Sequence, residues 1–272
     1  MPRSSHRTCW QETQGGNSID WGEWAPLLWF VILLLGLVAV KRWLSTHLYG
    51  LGLLLGGSHD AAILVYFLLL FPGVLMHELS HWIAAKLLRV PVGKINIGPV
   101  AKGSGATRLG SVSMAKTDPV RAGLIGMAPL VTGTILILLV AYRVFGLTEA
   151  TWLSAGSSPD QFVSALRGYL SVPNFWLWVY LVFSISNAML PSESDRQAWL
   201  SLLAYASAVV VVLYGLGLLQ EVTSPVSSFF VRALDHLSFA FLLTILVDAA
   251  VIVVVLIVER VVMVVAGRKV DY

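Results

Sequence analysis

The sequence predicts an all-α polytopic membrane protein with about six transmembrane helices and a small membrane-associated β-hairpin. Hydrophobic residues make up 57% of the 272 positions and charged residues only 12%, and the mean hydropathy is +0.80. Soluble domains contain about twice that share of charged residues. Several apolar runs approach or exceed the ~20 residues that a helix needs to cross the bilayer core. These runs must be helical, because lipid cannot satisfy open backbone groups.

The membrane segments can be placed in order along the chain. A polar N-terminal tail (1–24) and a C-terminal tail (266–272) flank one membrane-embedded domain (25–265), whose core is 60–200. The glycine-rich run Tyr49–Gly57 is too short to cross the membrane alone and is predicted to form a turn at the membrane surface. The six predicted segments lie near residues 25–44, 60–88, 120–145, 173–190, 198–219 and 237–265.

Two shorter segments have patterns of their own. Apolar and polar residues alternate in 92–98 and 109–114, which predicts a β-hairpin over 92–114, with a surface loop as the alternative. Residues 159–170 place apolar side chains on one helical stripe. That stripe predicts a short helix at the membrane interface, with a plain connector as the alternative.

The distribution of basic residues predicts an orientation. Six spans place both termini on one side of the membrane, and that side holds thirteen of the 18 Lys and Arg residues. By the positive-inside rule both termini are cytoplasmic, and we expect a multi-pass protein of the cell membrane. The net charge of +3 is too small, and its basic residues too scattered, for nucleic-acid binding. Cys9 is the only cysteine, which excludes an intrachain disulfide and a thiolate-rich metal cluster.

The most informative motif, His77-Glu78-Leu79-Ser80-His81, lies in the second predicted segment. Two histidines four residues apart project from one helical face with a glutamate beside them, which is the HExxH pattern of zinc metalloproteases. Ionisable residues are costly in hydrocarbon, so their presence here points to a function. The alternative without a metal would leave two histidines and a glutamate desolvated without an ion. The motif is near the cytoplasmic end of its segment, so the metal site is predicted inside the bilayer, nearer the cytoplasmic face.

A third ligand must come from elsewhere, because a hydrolytic zinc site usually has three protein ligands and one position for water. Asp248 lies in the middle of the sixth predicted segment, whereas Asp195 follows a proline and serines that break the helix and free the chain to turn inward. Spacing alone leaves both aspartates open. The acidic candidates within or beside the membrane segments are Glu193, Asp195 and Asp248.

These residues resemble a pattern of the site-2 protease family of intramembrane metalloproteases. That family has HExxH in one core helix and a later Asn-x-x-Pro-x-x-x-x-Asp-Gly segment, whose aspartate completes the zinc site. Asn187 and Asp195 keep the same eight-residue separation. Two positions depart from the pattern, since Pro191 stands one place late and Arg196 replaces the glycine. The resemblance covers about residues 60–200.

The resemblance implies specific roles in a site whose cofactor is Zn²⁺. Glu78 is implied as the general base, and Asp248 is kept as the fallback for the third ligand. The implied zinc ligands are His77, His81 and Asp195.

A second, partial match lies at Gly126–Gly133, which is similar to the family's Gly-Pro-x-x-Asn segment. Ala128 replaces the glycine and Thr132 replaces the asparagine. The alternative interpretation of this stretch is a face of small residues for helix packing. Asn187 is the better candidate for a polar group near the substrate.

The resulting expectation is an intramembrane zinc metalloendopeptidase that cleaves membrane-spanning or membrane-adjacent protein substrates. Its partners would be the lipid bilayer and a membrane-protein substrate, held in an extended form by strand addition to the hairpin, as the family's analogous element suggests. One alternative is a noncatalytic membrane protein that binds client helices and has a structural zinc. A metal transporter ranks last, because it would need several layers of ligands along one pathway.

Overall fold

The structure is a computed structural model that describes residues 21–101, 107–147, 159–215 and 219–266. Residues 1–20 of the predicted N-terminal tail and residues 267–272 of the predicted C-terminal tail lie outside this part of the chain. The strands are β1 (Val92–Ala101) and β2 (Thr107–Met114). The helices are α1 (Trp21–Gly56), α2 (His59–Leu87), α3 (Pro119–Leu139, extended by the π-helical turn Val140–Val144), α4 (Pro159–Leu170), α5 (Phe175–Met189), α6 (Glu193–Gly215) and α7 (Leu219–Ala266).

The protein is mostly helical and has the spans of an integral membrane protein. Four helices of the described chain are long and apolar enough to cross a bilayer, and the α4–α5 pair, bent by 92°, adds a fifth if it is one broken span. The sixth predicted segment corresponds to α7, but the fifth, 198–219, falls on α6, which is not among these spans. The count of six therefore stays a prediction. The four spans are Ala25–Gly56, His59–Leu87, Pro119–Val144 and Ser228–Val265.

The prediction of a surface turn over Tyr49–Gly57 is wrong, because α1 continues through this run to Gly56. The glycines allow close packing of α1 against α2 instead. A Cβ atom on Gly52 would lie only 2.8 Å from the Cα atom of Ala62. Small residues let two helix backbones approach in this way. The change of direction is confined to the residues after Gly56, where Gly57 has a left-handed φ of 68°.

The predicted hairpin is confirmed as a two-stranded antiparallel sheet. Val92 pairs with Met114 and Asn96 with Ser111, with irregular register on either side of the central pairs. The sheet packs along α2, where Leu109 of β2 contacts the hydrophobic cluster that includes side chains of α2. This contact brings β2 next to the HExxH motif.

The predicted short helix at 159–170 is present as α4. Val163, Leu166 and Leu170 are exposed on it, which suits a helix that lies against lipid. After the bend, α5 runs for 15 residues and packs beside α2. A buried cluster then joins α1, α3, α5 and α7 through Leu37, Ile137, Val182 and Phe241.

Helices α1 and α7 pack against each other and run in the same direction. The contacts advance together along both helices, because later residues of α1 meet later residues of α7. Two spanning helices that pack in parallel enter the membrane from the same face. The predicted arrangement, with six spans and both termini on one side, requires these helices to cross in opposite directions and does not agree with this packing. The contacting pairs are Phe30 with Phe241, Gly36 with Ile245 and His47 with Glu259.

Candidate metal centre

Helix α2 places the HExxH residues in its C-terminal half. The helix is started by Ser58, whose side chain accepts a hydrogen bond from the backbone of Ala61. Four residues of separation put His77 and His81 on one face. Their Nε2 atoms lie 3.1 Å apart. Glu78 is 8% exposed, and its side chain lies against Gly110 of β2.

Backbone carbonyls from two other helices fix both imidazole rings. His77 Nδ1 lies 2.7 Å from the carbonyl oxygen of Ala188 in α5, and His81 Nδ1 lies 2.9 Å from that of Ile125 in α3. A carbonyl oxygen only accepts hydrogen bonds, so each Nδ1 must carry the proton. In the neutral rings the Nε2 lone pairs then point at each other. Histidine ligands of metals usually have this outer hydrogen bond.

Asp195 completes a group of three potential ligands. Its Oδ1 lies 3.5 Å from His81 Nε2, and its Oδ2 lies 3.8 Å from His77 Nε2. The chain reaches this position through a break, since α5 ends at Met189 and Leu190 is extended before Pro191.

The first turn of α6 orients the Asp195 side chain. Ser192 donates to Asp195 Oδ2 from its backbone N–H at 2.8 Å and from its hydroxyl at 2.6 Å. This is the carboxylate half of a capping box, with the acid three residues after the cap. Burial by itself raises the pKa of Asp195, but the neighbouring His81 and the two hydrogen bonds from Ser192 outweigh burial and hold the pKa below its usual value. The side chain is therefore an ionised carboxylate, the form that binds a cation.

The three residues fit a metal ion by donor chemistry and spacing. One ligand atom from each of His77, His81 and Asp195 lies within 4.8 Å of the other two. Two nitrogens bound at about 2.0–2.1 Å to one tetrahedral ion lie about 3.3 Å apart, close to the 3.1 Å observed. Without a cation, two Nε2 lone pairs and a carboxylate would face one another in a half-buried pocket, which is unfavourable.

The fallback ligand, Asp248, is not part of this group. Asp248 is fully buried in α7, and its Oδ1 accepts a hydrogen bond of 2.9 Å from the Asn187 amide. Its Oδ2 has no hydrogen-bond partner in the described chain. The second Nδ2 hydrogen of Asn187 is donated to the carbonyl oxygen of Phe183. Asn187 itself lines the cavity that contains the three ligands, as a polar group near a substrate would.

The stretch Gly126–Gly133 forms a packing face. A Cβ atom on Gly126 would lie 3.1 Å from the backbone oxygen of Asp195, and one on Gly133 would lie 2.6 Å from the Cβ atom of Met189. These two glycines therefore let α5 and the start of α6 approach α3. The described contacts at these glycines match the alternative interpretation, helix packing.

A cavity of about 720 Å³ opens beside the three ligands. One wall is β2, and Gly110 of that strand is so close to Glu78 that a Cβ atom there would lie 2.7 Å from its Cγ. The cavity extends along α2 from His81 toward His59 and also reaches Lys41 of α1. A strand edge, a carboxylate and a metal-ligand group thus share one cavity.

No protein-family model, curated protein or solved structure matches the chain. The function must therefore be argued from the residues of this centre.

Sequence reasoning missed several residues that shape the centre. The carbonyl groups of Ala188 and Ile125 have no signal in a sequence, because any residue supplies a carbonyl. Ser192 could have been found, since Ser-x-x-Asp before a helix is a capping-box pattern. Lys41 could also have been found as an ionisable residue in an apolar run.

Proposed function

We propose that the protein is an intramembrane zinc metalloprotease, similar to the site-2 protease family, that hydrolyses peptide bonds of membrane-spanning or membrane-adjacent substrates. The observation behind this proposal is the combination of three convergent ligands with Glu78, an acid beside the ligand group but not within it. A structural metal site has no need for such an acid. A hydrolytic site needs one to accept a proton from water.

Each residue of the centre has a separate task in the proposed reaction. His77, His81 and Asp195 would hold Zn²⁺. When bound, this ion would lower the pKa of a water ligand to about 7 and polarise the scissile carbonyl. Glu78 accepts the proton of the water and donates it to the departing amine. The carbonyls that bind His77 and His81 keep both ligand nitrogens aimed at the same point.

Strand β2 provides the means to hold a substrate. A membrane-spanning helix hides its amides in internal hydrogen bonds, so it must unwind before cleavage, and its freed backbone groups then need partners. β2 pairs with β1 on one edge only, and Leu109–Val112 line the cavity. An extended substrate segment adds to β2 as a further strand and is held next to Glu78.

The proposed location is the cell membrane, with the hairpin on the cytoplasmic side. Arg89, Lys94, Lys116 and Arg121 all lie close to the ends of the hairpin, as the positive-inside rule expects of cytoplasmic segments. We propose five crossings for the described chain, by α1, α2, α3, the α4–α5 pair and α7. This count agrees with the parallel packing of α1 and α7, in contrast to six crossings with both termini cytoplasmic.

The proposal is tested with the variant Glu78→Gln and the control Asp160→Asn, an exposed acid on α4. Purified protein in liposomes is incubated with a pool of labelled single-span peptides, and the products are identified by mass spectrometry. We expect cleavage by the wild type and the control, no cleavage by Glu78→Gln, and equal zinc content in all three. Unchanged cleavage by Glu78→Gln would refute the mechanism. A wild type that retains zinc and binds peptides without cleaving them would favour the noncatalytic, client-binding alternative.

A further inference from the structure

The cavity beside the metal centre has a cationic group that the proposed reaction does not use. Lys41 lies in α1 within an apolar span and lines the same cavity as His77 and Glu78. Its side chain is half-buried and makes no hydrogen bond or ion pair in the described chain. An ammonium group in a membrane segment is costly, so such residues usually serve a ligand or a pathway.

A buried carboxyl group lies on α7, the helix that packs against α1. Lys41 of α1 and Asp248 of α7 both lie between the Gly36–Ile245 and His47–Glu259 contacts of these two helices, although no ion pair within 4.0 Å forms between them. A carboxyl group on the neighbouring helix can offset part of the cost of an ammonium in the membrane, and without an ion pair the N–H donors of Lys41 stay unoccupied. Lys41 therefore offers hydrogen-bond donors to whatever enters the cavity.

The same carboxyl group fixes the orientation of Asn187. The Asn187 amide nitrogen donates both its hydrogens, one to Asp248 Oδ1 and one to the carbonyl oxygen of Phe183. Because that carbonyl can only accept, the amide cannot be flipped. Its Oδ1 is left as the polar atom that Asn187 offers to the cavity, which makes it a hydrogen-bond acceptor.

We propose that Lys41 and Asn187 form a subsite for the backbone of an unwound peptide, with Asp248 as the residue that positions both. The Lys41 ammonium donates to a carbonyl oxygen of the peptide, and Asn187 Oδ1 accepts from a peptide N–H. An unwound segment in a membrane has such donors and acceptors without partners. β2 satisfies one edge of the segment, and this subsite satisfies groups that β2 does not reach. The subsite rests on the proposed function, because its ligand is the peptide substrate.

The test compares two hydroxamates on the zinc-loaded, full-length protein in detergent. Acetohydroxamic acid contacts the metal alone, whereas a tetraleucine hydroxamate also occupies the peptide subsites. In the variant Lys41→Met we expect the tetraleucine compound to bind about ten- to a hundred-fold more weakly, the loss that one charged hydrogen bond represents. Binding of acetohydroxamic acid should not change. The control is Arg42→Met, which removes the neighbouring exposed cation of α1.

A double variant separates binding from folding. Lys41→Met alone leaves Asp248 buried without a counter-charge and can destabilise the protein. Lys41→Met with Asp248→Asn removes both charges, and the asparagine oxygen still accepts from Asn187. We expect this variant to regain the thermal stability of the wild type but not its affinity for tetraleucine hydroxamate.

Three outcomes would overturn the subsite alone. Equal affinity of Lys41→Met and wild type for the tetraleucine compound would remove Lys41 from the subsite. An equal loss for both hydroxamates would place the effect at the metal. Recovered affinity in the double variant would reduce Lys41 to a structural partner of Asp248. A wild type that retains no metal and binds neither compound would instead refute the proposed function and the subsite with it.

Discussion

At the scale of single residues, each candidate metal ligand is oriented by an outer hydrogen bond to a residue outside the ligand group. His77 is held by α5, His81 by α3 and Asp195 by the first turn of α6. Outer contacts of this kind set the direction of a ligand and are close to the ligands themselves in importance. The centre therefore exists only when these three helices pack against α2.

Replacement of the two aspartates distinguishes ligand from neighbour. We expect Asp195→Ala to lose bound zinc, because one of three ligands is removed, and Asp248→Ala to keep it. Metal content of the purified variants is measured by mass spectrometry. Loss of zinc in Asp248→Ala, with retention in Asp195→Ala, would reverse the ligand assignment.

Removal of the Ser192 hydroxyl should weaken zinc binding without removing a ligand. Ser192→Ala keeps the backbone hydrogen bond to Asp195 Oδ2 but loses the 2.6 Å side-chain bond. Loss of an outer contact typically lowers metal affinity about 10–100-fold. Competition with a chelator measures the effect. Ser171→Ala is the control, since within the described residues that hydroxyl bonds only to the Gly168 carbonyl, far along the chain from Asp195. An equal change there would contradict a local effect.

Gly110 tests the position of the general base. In Gly110→Ala the new methyl group would lie 2.7 Å from Glu78 Cγ, so the carboxylate must shift. Because Glu78 is not a ligand, we expect zinc content to stay constant while cleavage falls, about ten-fold or more for a base moved from its partner. Full activity in Gly110→Ala would show that the approach of β2 to Glu78 has no catalytic role.

At the scale of elements, glycines decide how closely the helices approach. A Cβ atom on Gly73 of α2 would overlap the carbonyl oxygen of Ser184 in α5. Its backbone N–H donates to the Ser184 hydroxyl at 2.9 Å. His77 lies one turn further along the same interface, so this contact also sets its distance to Ala188.

Gly73→Ala should therefore affect stability and the metal centre together. Overpacking of this kind costs about 1–3 kcal/mol, and the separation of α5 from α2 lengthens the hydrogen bond of His77. We expect a lower unfolding temperature and weaker zinc binding. In Gly168→Ala, by contrast, the new methyl group meets open space in α4, and neither quantity should fall. Unchanged zinc affinity in Gly73→Ala would show that the contact of Gly73 with α5 does not affect metal binding.

The elements show which parts of the fold a sequence can predict. The hairpin and α4 were predictable, because alternation and a helical stripe are local patterns. The prediction for Tyr49–Gly57 was wrong, because glycines that end a helix and glycines that allow a neighbouring helix to pack closely cannot be distinguished from the local sequence. The choice between Asp195 and Asp248 depended on packing, which brings one of them to the histidines and the other to Asn187. The spacing of residues along the chain does not predict such tertiary contacts.

At the scale of the whole molecule, the direction of α1 and α7 determines the topology. Their contacts advance in parallel from Phe30 and Phe241 to His47 and Glu259. The basic residues around the hairpin favour a cytoplasmic metal centre in either topology. The two topologies differ in whether α6 crosses the membrane and therefore in the direction of α7: six crossings place its C-terminal end on the side of the N-terminus, and five place it on the opposite side.

Topology mapping decides between the two counts. Single cysteines are placed at Ser58 and Lys116 in a Cys9→Ser background, and each terminus receives an epitope tag. In right-side-out vesicles we expect an impermeant maleimide to label Ser58→Cys but not Lys116→Cys, because we propose that the hairpin lies on the cytoplasmic side. With five crossings the C-terminal tag is accessible to added protease and the N-terminal tag is protected. Protection of both tags would support six crossings. It would also require α1 and α7 to pack in another way, since two parallel helices in contact cannot enter the membrane from opposite faces.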